Sequence, residues 1–300
     1  MIHRIDKAIR KNAVGYLFML PLIVGIVVFS IYPMINAFIL SMHRSASGTG
    51  GDWVGWANYE FVIADSSFWK SLYNTLYMGA LSVLSGVVFS FILATLINNL
   101  VSTRLKNVFK AIFFLPNVVS AVATSIVFTF LFYPSREGLL NYFVGWLGME
   151  PIGWFTDPTF APLSIVLMNL WSALGYNTII FIAGLQGVPG DLYEAADVDG
   201  ATPLRKWFYI TIPYMRSIFV FMIIIGIINS MKRFTDVWLI GGTAGNPGGS
   251  LLTSVLYIYR NAFLSSQMGV ASAASYILFI FILLLTVIML MFNRKKNSFD

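Results

Sequence analysis

Six apolar stretches, at about residues 14–42, 71–98, 111–133, 161–184, 217–240 and 268–292, dominate the chain. Each is close to or longer than the roughly 20 residues that a helix needs to cross about 30 Å of hydrocarbon. Backbone in lipid must satisfy its own hydrogen bonds, so runs of this length and composition point to helices that span the bilayer. Composition agrees: 58% of the 300 residues are hydrophobic and 11% charged, where an average soluble domain has about 25% charged. The mean hydropathy is +0.78. The expectation is an all-α integral membrane protein with six transmembrane helices, organised over residues 1–300 as a single transmembrane domain.

Lysine and arginine are retained on the cytoplasmic side, so their distribution sets orientation. With the spans drawn as above, thirteen of the 19 basic residues share one face: Arg4, Lys7, Arg10, Lys11, Arg104, Lys106, Lys110, Arg205, Lys206, Arg216, Arg294, Lys295 and Lys296. The remaining six are Arg44, Lys70, Arg136, Lys232, Arg233 and Arg260. Both termini are therefore expected in the cytoplasm, as an even number of spans requires. Topology accounts for most of the net charge of +6, and no nucleic-acid partner is invoked. The run from Val14 to Met42 is about twice the length of a secretory signal core and reads as an uncleaved first span. Ser45-Ala46-Ser47 is a weak cleavage-like match, and His43-Arg44 just before it argues against cleavage. The absence of cysteine removes disulfides, thiolate metal sites and cysteine nucleophiles together.

Residues 1–13 alternate isoleucine with basic residues, which suits either a short helix on the inner membrane surface or a solvated tail. The loops at 43–70 and 134–158 carry Trp53, Trp56, Tyr59 and Trp69, then Trp146 and Trp154, all suited to interfacial anchoring. Pro21, Pro33, Pro116 and Pro213 lie in or beside apolar runs. Helix-breaking residues are tolerated there only where neighbouring helices or a water-filled cavity satisfy the freed backbone groups, so several spans should be kinked. Small residues in GALSVLSG (Gly79 to Gly86) and GVASAAS (Gly269 to Ser275) permit close helix contact.

Between the fourth and fifth spans, on the basic side, lies EAADVDGATPLRKWFYITIP, Glu194 to Pro213. Pro189-Gly190 interrupts the exit from span four, and Asp191 with Glu194 makes a D-x-x-E arrangement that can cap a new helix. Leu192 to Asp199 supplies about two turns, Gly200 a left-handed ending, and Thr202-Pro203 a fresh cap with a first-turn proline. The outer surface is small at Ala195 and Ala196 and acidic at Glu194, Asp197 and Asp199. Two readings stand. The carboxylates could merely favour a helix N-terminus in an interfacial loop. Alternatively, the alanine pair lets another protein approach closely, and a carboxylate pairs with an incoming arginine.

Glu194-Ala195-Ala196, three residues, Gly200, nine residues, Ile210, one residue, then Ile212-Pro213 resembles the EAA signature of bacterial ABC-importer permeases, with Ile212 in place of the usual leucine. WANY (Trp56 to Tyr59), FWKSLYNT (Phe68 to Thr75), FFLP (Phe113 to Pro116), YIYRNAF (Tyr257 to Phe263) and GVASAAS are similar to the carbohydrate-uptake branch, particularly the maltose and glycerol-3-phosphate permeases. The likeness covers nearly the whole chain. It implies half of a type I ABC importer with the MetI-like fold, a core over 71–292 and a cytoplasmic coupling loop at 185–216. The implied partners are a second permease, non-identical by the asymmetry common in this branch, two copies of a cytoplasmic ABC ATPase, and an extracytoplasmic solute-binding protein. Glu194, Ala195, Ala196, Asp199 and Gly200 would form the helix seated on the ATPase, with Glu194 carrying an ion pair. The implied location is the bacterial cytoplasmic membrane.

There is no G-x-x-x-x-G-K-[ST] phosphate loop, so the expectation is no cofactor in this chain, with ATP and magnesium held by the partner ATPase. Nor is there an H-E-x-x-H or a G-x-S-x-G motif. The two histidines, His3 and His43, stand near the membrane edge without a ligand set. The chain reads as a transporter component with no catalytic or metal site.

Polar residues inside spans are the informative ones, because a charge in hydrocarbon costs about 2.5–3.5 kcal/mol on insertion scales. Lys232, Arg233 and Asp236 fall about fifteen residues into span five, roughly 22 Å at ~1.5 Å per residue, beyond the midplane. Helical spacing places Lys232 and Asp236 on one face with Arg233 beside them. Either Lys232 and Asp236 neutralise each other while Arg233 snorkels outward, or Arg233 and Lys232 reach the solute pathway. The resemblance places Ser230 and Arg233 where maltose-type permeases line their sugar site, with Asn117, Ala121, Ser172 and Tyr176 joining from spans three and four. Trp171 and Tyr176 suit either a sugar face or ordinary packing. A charged Arg233, where a neutral oligosaccharide calls for an uncharged polar residue, raises an acidic or phosphorylated solute. The expected function is import of a sugar or oligosaccharide. The rival is an ion-coupled secondary transporter with Lys232 and Asp236 as its relay; such carriers often show an inverted repeat, and no convincing one is found here.

Overall fold

The computed structural model describes residues 13–48 and 50–296. The basic N-terminal segment, with Arg4, Lys7, Arg10 and Lys11, lies outside them apart from Ala13. In chain order the helices are α1 (Ala13–Ile26), α2 (Tyr32–Ser41), α3 (Ala57–Ala64), α4 (Ser66–Asn98), α5 (Thr103–Val118), α6 (Ala121–Leu131), α7 (Leu139–Trp146), α8 (Phe160–Leu185), α9 (Gly190–Val198), α10 (Pro203–Lys206), α11 (Ile212–Tyr214), α12 (Arg216–Met231), α13 (Thr235–Gly241), α14 (Ser254–Tyr259) and α15 (Met268–Lys296). A two-residue antiparallel ladder pairs β1 (His43–Arg44) with β2 (Asp52–Trp53). Among the described residues, four helices are long and apolar enough to span a membrane: Leu17–Ser41, Ser66–Asn98, Phe160–Leu185 and Met268–Met291. Two bent pairs bring the total to the predicted six: Thr103–Val118 with Ala121–Leu131, bent by 99°, and Pro203–Tyr214 with Arg216–Met231, bent by 64°.

The third predicted span is therefore broken at Val119–Ser120, while the 64° bend falls at Met215, ahead of the fifth predicted span, which is itself interrupted at Lys232–Phe234. Apolar residues run almost unbroken through the first of these breaks, so hydropathy alone draws one rod there where the backbone makes two. The prolines give the physical cause elsewhere. Pro33 and Pro213 each follow a π turn, at Val27–Ile31 and Trp207–Thr211. Proline offers no N–H and crowds the carbonyl four residues back, and a widened turn absorbs that clash.

The described chain falls into two compact units. One comprises residues through Ala64 with Ile258–Ile277. Here Asn58 ties the end of α2 to the ladder, its Nδ2 donating to the carbonyls of Ser41 (2.8 Å) and His43 (2.9 Å). A Cβ on Gly269 would lie 2.1 Å from the His43 carbonyl oxygen, so the small residue at the start of GVASAAS admits the backbone of β1. Tyr276 donates to the Met34 carbonyl at 2.5 Å and sets its ring edge-on to Phe38.

The second unit comprises Asp65–Tyr257 with residues from Leu278 onward. Its central rod is α4, which packs along α8 and α12, while α5 lies on α8. Without a hydrophobic force between helices in lipid, association depends on close packing and small residues at the crossings. Gly79 meets Ser230, and Gly175 lies so close to α5 that a Cβ would sit 1.9 Å from the Phe113 carbonyl oxygen. At one end of the unit a buried cluster forms around Phe91, Phe181, Met215 and Met222, with Trp207 and Phe219 packed against it. The 134–158 loop is organised by Asn141, which accepts from the Ile152 N–H and the Trp154 indole and donates to the Tyr133 and Ile152 carbonyls. Trp154 is thus held inward, stacked on Phe132 at 5.4 Å, instead of serving as the predicted interfacial anchor, whereas Trp146 is exposed.

Candidate functional site

The break in the third span and the one within the fifth border the same space. The α5–α6 break at Val119–Ser120 and the α12–α13 break at Lys232–Phe234 border one cavity of about 470 Å³, with α4 and α8 completing its wall. Irregular backbone at membrane depth is tolerated where it is buried in protein or lines a wet cavity, and interrupted helices are the usual material of transport sites. The volume lies within the roughly 300–1,000 Å³ of small-molecule pockets.

All five predicted pathway residues reach this wall: Asn117 from α5, Ser172 and Tyr176 from α8, Ser230 from α12, and Arg233 from the break; Ala121 joins them from α6. Trp171 does not. Its ring sits edge-on to Phe128 at 5.5 Å, which is packing. Reading single positions missed Thr124, Asn169, Asn177, Asn229 and Asp236, which also line the cavity. Asn169, Ser172, Tyr176 and Asn177 recur at helical spacing on one face of α8, a polar stripe that was available in the sequence.

The polar groups divide by what they have left to offer. Ser172 Oγ donates to the Met168 carbonyl (3.1 Å) and Ser230 Oγ to the Ile227 carbonyl (2.9 Å), so both retain only accepting capacity. The carboxamides of Asn117, Asn169, Asn177 and Asn229 make no hydrogen bond to another described residue. Each can donate and accept at once.

The charges are arranged differently from the expectation. α12 ends at Met231, with Lys232 as its C-cap, and Phe234 turns the chain at φ −143° before α13 begins. Helical i,i+4 spacing therefore does not apply across Lys232–Asp236, and the predicted pair is replaced by another. Arg233 Nη1 donates to Asp236 Oδ2 at 2.9 Å and Nη2 to Ser82 Oγ at 3.1 Å. Asp236 Oδ1 also accepts from the Val237 N–H, and the Arg233 carbonyl accepts from Thr253 Oγ1. Arg233 is 8% exposed, so it does not snorkel; Lys232 is the exposed one.

The second candidate element is α9. It begins at Gly190, behind Pro189 as N-cap and with no side-chain capping bond, so the predicted D-x-x-E cap does not form; Asp191 stands in the first turn instead. A side-chain cap is not needed where the preceding Pro-Gly already turns the chain. The exit matches expectation: Asp199 caps α9, Gly200 adopts φ +72°, and Thr202 Oγ1 accepts from the Arg205 N–H ahead of Pro203. Glu194, Ala195, Asp199 and Gly200 are exposed and Ala196 is partly so, with Leu192 and Val198 presenting apolar surface beside them. Asp197, on the acidic surface, pairs with Lys206.

A helical bundle with two interrupted rods around one polar cavity and an exposed helix–glycine–helix loop has the organisation of a membrane permease. Residues 86–298 match the binding-protein-dependent transport system inner membrane component family, and the chain belongs to it. It is thus a multi-pass inner-membrane component of a binding-protein-dependent transport system. The arabinooligosaccharides transport system permease protein AraP of Bacillus subtilis (strain 168) is 32% identical to it over 95% of this chain and 90% of the relative. The lactose transport system permease protein LacF of Rhizobium radiobacter is 32% identical over 94% and 95% respectively. A bacterial alginate ABC transporter, solved in complex with an alginate pentasaccharide-bound periplasmic protein, has a chain that matches with a TM-score of 0.86 over 97% of this chain and 98% of its own, at 23% identity. That likeness is one of fold, and it agrees with the MetI-like expectation. Family membership displaces the ion-coupled secondary carrier.

Proposed function

We propose that this chain is one of two permease subunits of an ATP-driven importer for a neutral saccharide, that its cavity is the solute pathway, and that α9 docks on a cytoplasmic ATPase. The observation that carries the reading is the chemistry of the wall: four carboxamides with unused hydrogen-bonding capacity, beside an ion pair that neutralises itself. A polyhydroxylated, uncharged solute matches carboxamides that donate and accept together. Relatives named for arabinooligosaccharides and lactose support the saccharide class. With Asp236 on its guanidinium, Arg233 no longer argues for an acidic solute.

ATP and magnesium would be held by two copies of the partner ATPase, and a second, non-identical permease would complete the pathway. The concentration of basic residues on one face supports cytoplasmic termini and a cytoplasmic α9. The small, acidic and apolar surface around Ala195 fits a cleft that supplies an arginine to Glu194.

The test is ATP hydrolysis by the reconstituted complex with its binding protein, comparing arabinooligosaccharides and lactose with oligogalacturonates. A buried uncompensated carboxylate costs several kcal/mol, and each ~1.4 kcal/mol is tenfold in affinity, so acidic saccharides should need at least about tenfold higher concentrations. Stimulation by oligogalacturonates alone would contradict the neutral assignment.

A further inference from the structure

We propose that Tyr193, Thr211 and Trp207 form a strut that carries displacement of α9 into the helices around the cavity; the proposal rests on the docking role of α9. The covalent connections at the two ends of α9 pass through Gly187 and Gly200, and glycine backbone bends readily. Force applied to α9 needs a stiffer route, and one is present. Tyr193, one of the two partly covered residues of an otherwise exposed helix, has its hydroxyl 2.8 Å from Thr211 Oγ1. Thr211 is 4% exposed, and its hydroxyl also lies 3.4 Å from the Lys206 carbonyl, to which it can donate while accepting from Tyr193.

Thr211 closes the π turn Trp207–Thr211, and Trp207 opens it. The Trp207 indole donates to Thr95 Oγ1 of α4 at 3.2 Å and stacks on Phe91 of α4 at 5.3 Å. Phe91 meets Phe219 of α12 at 4.7 Å and Phe181 of α8 at 5.4 Å. Met222, in the same buried cluster, also lines the cavity. One turn thus holds α9 at one end and three cavity helices at the other, through a close-packed interior that transmits strain. The Lys206–Asp197 pair runs alongside, but Asp197 is 65% exposed and a pair this wet contributes little.

The experiment uses the whole complex in proteoliposomes and reads ATP hydrolysis with and without solute-loaded binding protein, together with lactose uptake. Tyr193→Phe and Thr211→Val are expected to retain the ATPase subunits and basal hydrolysis, while the stimulated rate and uptake fall about five- to tenfold, the scale of one lost hydrogen bond. Thr211→Ser should rescue, and the double variant Tyr193→Phe with Thr211→Val should be no worse than Thr211→Val alone, because both changes remove the same Tyr193–Thr211 bond. Trp207→Phe keeps the stack, removes the indole donor, and should show the same split. Stimulation within about twofold of wild type in both single variants, or losses that add, would overturn the strut. If Glu194→Lys strips the ATPase from the complex while the strut variants behave as wild type, the strut fails and docking stands. If Glu194→Lys also has no effect, the docking role fails and the strut with it.

Discussion

Arg233→Met is expected to lower the thermal stability of the purified complex more than any other single change at the cavity wall. The substitution removes one member of a buried pair, leaving Asp236 with 18% of its side chain exposed and no cation, and Ser82 without its donor. Breaking a buried ion pair from one side costs about 3–5 kcal/mol, and the residual wetness of Asp236 places this case near the lower figure. Arg233→Met combined with Asp236→Leu should recover most of the loss, since no charge is left uncompensated and an apolar pair fills similar space. Lys232→Met is the control. Its side chain is exposed, so it should stay within about 0.5 kcal/mol of wild type. Denaturation monitored by loss of monodisperse complex on heating checks all three. A large effect at Lys232 with none at Arg233 would restore the helical pairing of Lys232 with Asp236.

Gly175→Ala should be comparably damaging, although it adds a single carbon. That carbon would fall 1.9 Å from the Phe113 carbonyl oxygen and 2.6 Å from the Phe114 Cα. The obstacle is backbone, which cannot swing aside as a side chain can, so α5 must move off α8. Overpacking a close contact costs about 1–3 kcal/mol, and a main-chain clash belongs at the top of that range or above it. The displaced segment leads directly into Pro116 and Asn117, so the cavity wall shifts with it. The expected result is a lower melting temperature together with reduced uptake at a solute concentration that saturates wild type. Wild-type stability in the Gly175→Ala complex would show that α5 and α8 do not approach this closely.

These two sites also mark where reading the sequence succeeds and where it stops. Run length sufficed for the four continuous spans, because twenty apolar residues in lipid have one comfortable conformation. It could not find the break after Val118, since the valines and alanine around Ser120 keep hydropathy high whether or not the helix continues, and after Met231 it registers two charges without showing that the helix ends there. Only the two charges and Pro116 hinted at interruption, and the charges were then paired by a helical rule that needs a helix through Lys232. The coupling loop was more legible, because glycine at φ > 0 and a Thr-Pro cap are local devices that need no tertiary context. The Asp191 cap failed because Pro189-Gly190 had already redirected the chain. Of the cavity, Asn117, Ser172, Tyr176, Ser230 and Arg233 were placed through family likeness. Asn169, Asn177 and Asn229 leave little trace in hydropathy, because a neutral carboxamide scarcely dents an apolar average. Gly175 against Phe113, 62 residues apart in sequence by their numbers, leaves no sequence signal that one chain alone can show.

The chain contains no cysteine, so Glu194→Cys introduces a single thiol whose surroundings can be probed cleanly. Labelling with a membrane-impermeant maleimide in intact cells and in inverted membrane vesicles, with and without the ATPase subunits, tests the central claim that α9 is an inner-face docking helix. The account predicts no labelling from outside, labelling in inverted vesicles stripped of ATPase, and protection when the ATPase is present. Labelling from the outer face, or equal labelling with and without the ATPase, would contradict it.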